Sequence, residues 1–80
     1  MTREEIFTQL RDAMVEMFEL EPSRIKWETT LREGLDLDSI DAIDMTVRLQ
    51  QITGKKVALA ELRNIATISD VVDLIEKHLR

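Results

Sequence analysis

Cysteine is absent from this chain of 80 residues, so neither a disulfide framework nor a thiolate metal site is available to it. Long apolar runs are missing too. No uninterrupted hydrophobic segment approaches membrane-spanning length, and the opening Met-Thr-Arg-Glu-Glu has neither the basic start nor the apolar stretch of a signal peptide. The expectation is a soluble cytoplasmic protein with no stable membrane insertion. Histidine occurs once, as His78. A hydroxyl nucleophile needs a general base, but His78 falls near the end of the last helical pattern, where it suits the helix dipole, and no G-x-S-x-G elbow is present. The chain therefore reads as a non-enzyme. Basic residues are in deficit, with Lys+Arg 11 against Asp+Glu 16 and a net charge of −5. That balance disfavours nucleic acid and anionic membrane as partners and favours a basic protein patch. A chain this short makes one domain, residues 1–80, with a thin core and no large catalytic cavity, so any chemistry is borrowed from partners.

What the chain does contain is helical periodicity. Thr2-Arg3-Glu4-Glu5 has capping-box spacing, and Ile6, Leu10, Ala13, Met14 and Met17 then recur at helical intervals with Phe7 and Phe18 on the flank. This predicts a first amphipathic helix over roughly residues 3–19, closed by Pro22. Ser23 to Leu37 shows scattered apolar residues without a sustained period and reads as a long packed loop, with Ile25, Leu31 and Leu35 as pinning contacts. Trp27 fits either a plug or a surface residue. A second helix is predicted at about 39–53, stopped by Gly54, which can take the left-handed cap position ahead of Lys55 and Lys56. Val57, Leu59, Leu62 and Ile65 fit a brief third helix near 59–64. Thr67-Ile68-Ser69-Asp70 opens a fourth, whose Ile68, Val71, Val72, Ile75 and Leu79 form one stripe. The fold class is all-α: three main helices plus one short helix, with a long loop between helices one and two.

The second helix carries two apolar stripes. At 100° per residue Ala42, Met45, Leu49 and Ile52 fall together, while Ile40, Ile43 and Val47 fall on nearly the opposite side. Either the helix lies between neighbours on two sides, or one stripe stays exposed for a partner. From Glu33 to Val47 there are five carboxylates and no Lys or Arg. Such segregation is unfavourable locally and is better explained as a steering surface for a basic partner. Asp36, Asp38 and Asp41 do not make a calcium loop: counted from Asp36, Ile40 takes the fifth position and Asp41 the sixth, where an oxygen ligand and a glycine are needed. No specific metal site is expected, although loose divalent-cation binding stays open.

These features meet at Glu33-Gly34-Leu35-Asp36-Leu37-Asp38-Ser39-Ile40-Asp41-Ala42-Ile43-Asp44-Met45. A glycine-containing turn runs into the helix, Asp38 suits the N-cap, and Ser39 takes the first helical position with its hydroxyl near the helix mouth. Serines are common at helix starts for capping reasons alone, so the surrounding pattern carries the argument. Gly-Leu-Asp-Leu-Asp-Ser-Ile-Asp-Ala-Ile-Asp-Met resembles the prosthetic-group site of acyl carrier proteins, and the likeness extends over almost the whole chain.

The resemblance implies 4′-phosphopantetheine on Ser39, beside the adjacent motif residue Asp38, installed from coenzyme A by a phosphopantetheinyl transferase. It implies acyl groups carried as thioesters during fatty-acid or polyketide-type biosynthesis, by a carrier that is a monomer on its own. The second helix becomes the recognition helix, with Ile40, Asp41, Ile43, Asp44 and Val47 touching partners: ketosynthase, acyltransferase, ketoreductase or dehydratase-type enzymes with basic docking patches. An acyl chain retreating into the bundle would be lined by Leu31, Ala42, Met45, Leu49 and Leu62. Ile40 stands where leucine is more usual, Arg48, Gln50 and Gln51 dilute the acidic helix, Thr53 takes a position often aromatic, and Lys55-Lys56 is basic. In these the chain looks more like discrete carriers of specialised polyketide or aryl-polyene-type pathways. Two other readings stay open: an unmodified helical interaction module that binds through Ile40, Ile43 and Val47, and a peptidyl carrier, against which the acidic helix argues.

Overall fold

The computed structural model describes residues 1–79. Helix α1, Arg3–Phe18, begins at a reciprocal cap: the Thr2 hydroxyl accepts the Glu5 N–H at 3.2 Å, and the Glu5 carboxylate accepts the Thr2 N–H at 3.0 Å. Its end corrects the expectation placed on Pro22. The helix stops at Phe18 because Glu19 turns left-handed (φ 55°, ψ 40°). Pro22 instead opens a short 3-10 turn, Pro22–Arg24, where its fixed φ and missing N–H cost nothing.

Helix α2, Ser39–Thr53, has the predicted bounds and ends on Gly54 in the left-handed region (φ 70°). Helix α3, Leu59–Arg63, is a single turn and a half whose first N–H groups are served by Glu61, which accepts from Ala58 N at 3.1 Å. Helix α4, Ile68–Leu79, opens on the expected Thr67–Asp70 pair, with Asp70 N donating to the Thr67 hydroxyl at 3.2 Å and Thr67 N donating back at 3.1 Å. Its buried stripe differs from the reading in one member. Leu74 is buried, whereas Leu79 is exposed on the last turn.

The core is where these faces meet. Ile6, Leu10 and Met14 of α1 and Met45 and Leu49 of α2 pack with Ile68, Val71, Val72 and Ile75 of α4, while Leu62 of α3 closes the α2 side. Burial of these side chains is the main favourable term for so small a domain.

The long loop is held by more than its apolar residues. Ile25 and Leu35 are buried and Leu31 half-buried, as a pinned loop requires. In addition the loop backbone is stitched to the start of α4: Leu31 N donates to Ala66 O at 3.0 Å, Ile68 N to Thr29 O at 3.0 Å and Ser69 N to Trp27 O at 2.8 Å, around an isolated bridge between Thr30 and Thr67. Trp27 is half-buried and stacks on Phe7 with ring centroids 4.6 Å apart, under the guanidinium of Arg3. Among the described residues no helix is long and apolar enough to cross a membrane.

Candidate functional site

The entrance to α2 is built by the loop before it. Arg24 Nη2 donates to the Gly34 carbonyl at 2.7 Å, and Gly34 N donates to the Thr30 hydroxyl at 2.8 Å. Glycine is needed here for space: a Cβ would lie 2.7 Å from the Thr30 carbonyl oxygen and 2.9 Å from the Thr29 methyl. Leu35 then plugs the core, and Asp36 takes a left-handed conformation (φ 56°) that aspartate tolerates better than most residues. Two residues on, Asp38 is extended and α2 begins.

Asp38 and Asp41 cap the helix reciprocally. Asp38 Oδ1 accepts both Ile40 N and Asp41 N at 3.0 Å, and Asp41 Oδ2 accepts Asp38 N at 3.0 Å. These bonds, with that from Asp41 N the largest, hold the Asp38 carboxyl below the usual carboxylate range. They also answer what the helix mouth has to offer an anion. Asp38 takes two donors of the first turn, Ile40 N and Asp41 N, so a phosphate ester on Ser39 would sit beside a capped, acidic surface.

Ser39 is the first residue of α2, exposed, and its hydroxyl makes no hydrogen bond among the described residues. Hydroxyls elsewhere on this helix are engaged: Thr46 donates to Ile43 O at 2.6 Å and Thr53 to Leu49 O at 2.9 Å, both side chains buried. The structure thus fits a group that is tethered to Ser39 and extends into solvent.

Of the two stripes on α2, one is core and one is surface. Met45 and Leu49 are buried and Ala42 and Ile52 half-buried, while Ile40, Ile43 and Val47 are 68%, 50% and 52% exposed. Asp44 is exposed and Asp41 half-exposed beside them. Among the described residues none of Glu33, Asp36, Asp38, Asp41 and Asp44 forms an ion pair. A continuous apolar and acidic face therefore starts at Ser39 and runs down the helix.

Leu62 is buried, and Leu31 and Ala42 are half-buried. Met45 and Leu49 line an apolar void between α1 and α2 with Leu10, Ala13, Met14 and Met17, to which Leu31, Ala42 and Leu62 do not contribute. Sequence reasoning named Arg48 only as diluting the acidic helix and missed its 3.4 Å ion pair with Glu16, which crosses from α2 to α1 at that void, and it passed over Arg24 and Thr30, which set Gly34. Periodicity has no signal for them: Arg48 and Glu16 are far apart in sequence, and Arg24, Thr30 and Gly34 belong to a loop without a period.

His78 lies 3.1 Å from Glu61, joining α4 to α3. The same Glu61 carboxyl sits below its usual range, first through the Ala58 N–H and then through His78.

A small helical domain that presents a free serine hydroxyl at the capped start of an acidic, apolar-faced helix is a carrier domain in its architecture. Residues 8–75 match the phosphopantetheine attachment site family. The chain is 38% identical over 79 residues to acyl carrier protein 2 of Ralstonia nicotianae, covering 99% of this chain and 98% of the relative. It is 35% identical over 79 residues to the acyl carrier protein of Coprothermobacter proteolyticus, covering 99% and 96% respectively. It is also 35% identical over 78 residues to that of Thermotoga maritima, covering 98% and 96%. The chain belongs to the acyl carrier protein family. Its function is that of a carrier in acyl biosynthesis, with 4′-phosphopantetheine covalently attached.

Proposed function

We propose that the Ser39 hydroxyl is the attachment point and that residues 1–80 form the acyl carrier domain. The observation that carries this is the state of that hydroxyl: exposed, without a hydrogen-bond partner among the described residues, and fixed in place by the Asp38–Asp41 cap. Ser23 is exposed too, but no side-chain cap fixes the 3-10 turn it stands in. Ser69 is half-buried in the first turn of α4, its N–H bonded to Trp27 O. The attached arm supplies a terminal thiol on which acyl groups are held as thioesters.

This chain's own residues hold and present. Asp38 and Asp41 fix the backbone of Ser39, and Gly34 with Leu35 fixes the loop that leads to it. Ile40, Ile43 and Val47 offer the apolar contact and Asp41 and Asp44 the charge that a basic docking patch would read. We assign no catalytic step to the chain; His78, its single imidazole, is engaged by Glu61 on another part of the bundle. The partners in this reading are a phosphopantetheinyl transferase and acyl-processing enzymes of the ketosynthase, acyltransferase, ketoreductase or dehydratase type. They belong to a discrete specialised pathway working in the cytoplasm, where coenzyme A is drawn on for priming. The dilution of acidic charge at Arg48, Gln50, Gln51, Lys55 and Lys56 supports a partner set other than the primary fatty-acid enzymes.

The test is intact mass after incubation with coenzyme A, Mg²⁺ and a broad-specificity phosphopantetheinyl transferase, beside Ser39→Ala. One phosphopantetheine addition on the wild type and none on a folded S39A is the expected result. An equal addition on both would move the site to another hydroxyl.

A further inference from the structure

Charge reverses sign along α2. From Glu33 to Val47 the chain carries five carboxylates and no cation, whereas from Arg48 to Thr67 it carries Arg48, Lys55, Lys56 and Arg63 against the single carboxylate of Glu61. The cause is local in part. Lys55 and Lys56 follow the Gly54 cap of α2 and Arg63 stands in the last turn of α3, so all three lie at the negative ends of helix dipoles. Their exposure then decides what else they do. Glu61 is already engaged, accepting the Ala58 N–H at 3.1 Å and facing His78 at 3.1 Å, and Arg48 turns to Glu16 of α1 at 3.4 Å. Lys55, Lys56 and Arg63 form an exposed basic pole, in which Lys56 and Arg63 make no ion pair among the described residues.

This pole continues the apolar stripe. Ile40, Ile43 and Val47 are exposed at spacings of three and four, and the same spacing reaches exposed Gln51 and Gly54, where the chain leaves the helix for Lys55 and Lys56. The 15 residues of α2 put the pole about 22 Å from Ser39. One apolar strip thus has carboxylates at the Ser39 end and cations at the other.

We infer that the acyl-processing partners of this carrier are recognised at both ends of α2. Such a partner presents cations around the mouth that receives the arm, apolar groups to Ile40, Ile43 and Val47, and a carboxylate cluster about 20 Å away for Lys55, Lys56 and Arg63. The inference rests on the α2 stripe as the docking face. Its occupant is a dipolar protein surface. A uniformly basic one gains at Asp41 and Asp44 but meets like charge at the far end, which lowers its affinity. The two poles also fix direction, since a partner docked the other way round opposes like charges at both ends.

The test uses the unprimed full-length protein, ¹⁵N-labelled and at low salt, titrated with two stapled helical peptides of the length of α2. One carries lysines in its first turn, leucines along its middle and glutamates in its last turn; the other carries lysines in both end turns. Net charge alone favours the second peptide, because the protein stands at −5. Recognition at two ends predicts the opposite order. The dipolar peptide should bind about fivefold tighter, as two exposed charge pairs allow, and should shift the amides of Asp41 and Asp44 together with those of Lys56 and Arg63. The double substitution Lys56→Glu, Arg63→Glu, at exposed positions outside the core, should invert the order. Equal or tighter binding of the peptide with two lysine ends to the wild type, or shifts confined to Asp41 and Asp44, overturns the inference. The wild-type titrations decide this even where the double variant folds poorly. No shift from either peptide overturns α2 as the docking face, and the inference with it. Ser39 as the attachment point is decided separately by mass, since no arm is present in these titrations.

Discussion

Asp38 does three things at once: it ends the loop, caps α2 and fixes Ser39. Its carboxyl, like those of Glu5, Glu61 and Asp70, is held below the ordinary range mainly by backbone N–H bonds. Because the folded values are depressed, these groups contribute their full stability above the unfolded values. The contribution is lost as pH falls through the lower folded ones. Urea midpoints should be flat with respect to these groups above about pH 5 and decline below about pH 4. Asp38→Asn keeps a capping oxygen that does not titrate, so its decline should be shallower. Gly34 is a second residue whose identity is set by space. A Cβ there meets the backbone of Thr30, which cannot yield cheaply. Gly34→Ala should destabilise by about 1–3 kcal/mol in urea unfolding. The sequence showed a glycine ahead of the serine, but the reason for it lies in Thr29 and Thr30, which the folded loop turns back against it.

At the scale of elements, α2 separates stability from recognition along one helix. Leu49→Ala removes a fully buried side chain and should cost about 2–5 kcal/mol. Ile43→Ala, at a position 50% exposed, should change stability by less than about 0.5 kcal/mol. The same substitution should raise the KM for priming by the transferase, so thermal melts and priming kinetics together distinguish a docking residue from a core residue. The two stripes were legible from 100° periodicity, and the bounds of α2 from Asp38 and Gly54. The end of α1 was not, because the signal taken for it, Pro22, belongs to the next turn, and the left-handed turn falls on Glu19, a residue with no such preference. Leu74 was left out of the stripe read for α4, although it stands three residues after Val71 and is buried with it.

For the molecule as a whole, the net charge of −5 is unevenly spread, and the face that starts at Ser39 holds carboxylates without local cations. Such a field speeds encounter with a basic partner and is screened by salt. Priming should therefore slow with rising ionic strength. Charge reversal of exposed Asp44 to Lys should raise KM several-fold with kcat nearly unchanged. The all-α class and the serine site were readable because both depend on neighbours close in sequence. The stitching of the loop to α4 and the methionine-lined void were not, because each joins segments whose proximity is a product of the fold.

The central claim concerns one oxygen atom, and fragmentation of the intact, primed wild-type protein by mass spectrometry tests it most directly. The account predicts that every fragment containing residue 39 carries the phosphopantetheine mass and that fragments containing Ser23 or Ser69 without residue 39 do not. The modification on any other hydroxyl, with Ser39 unmodified, would contradict it.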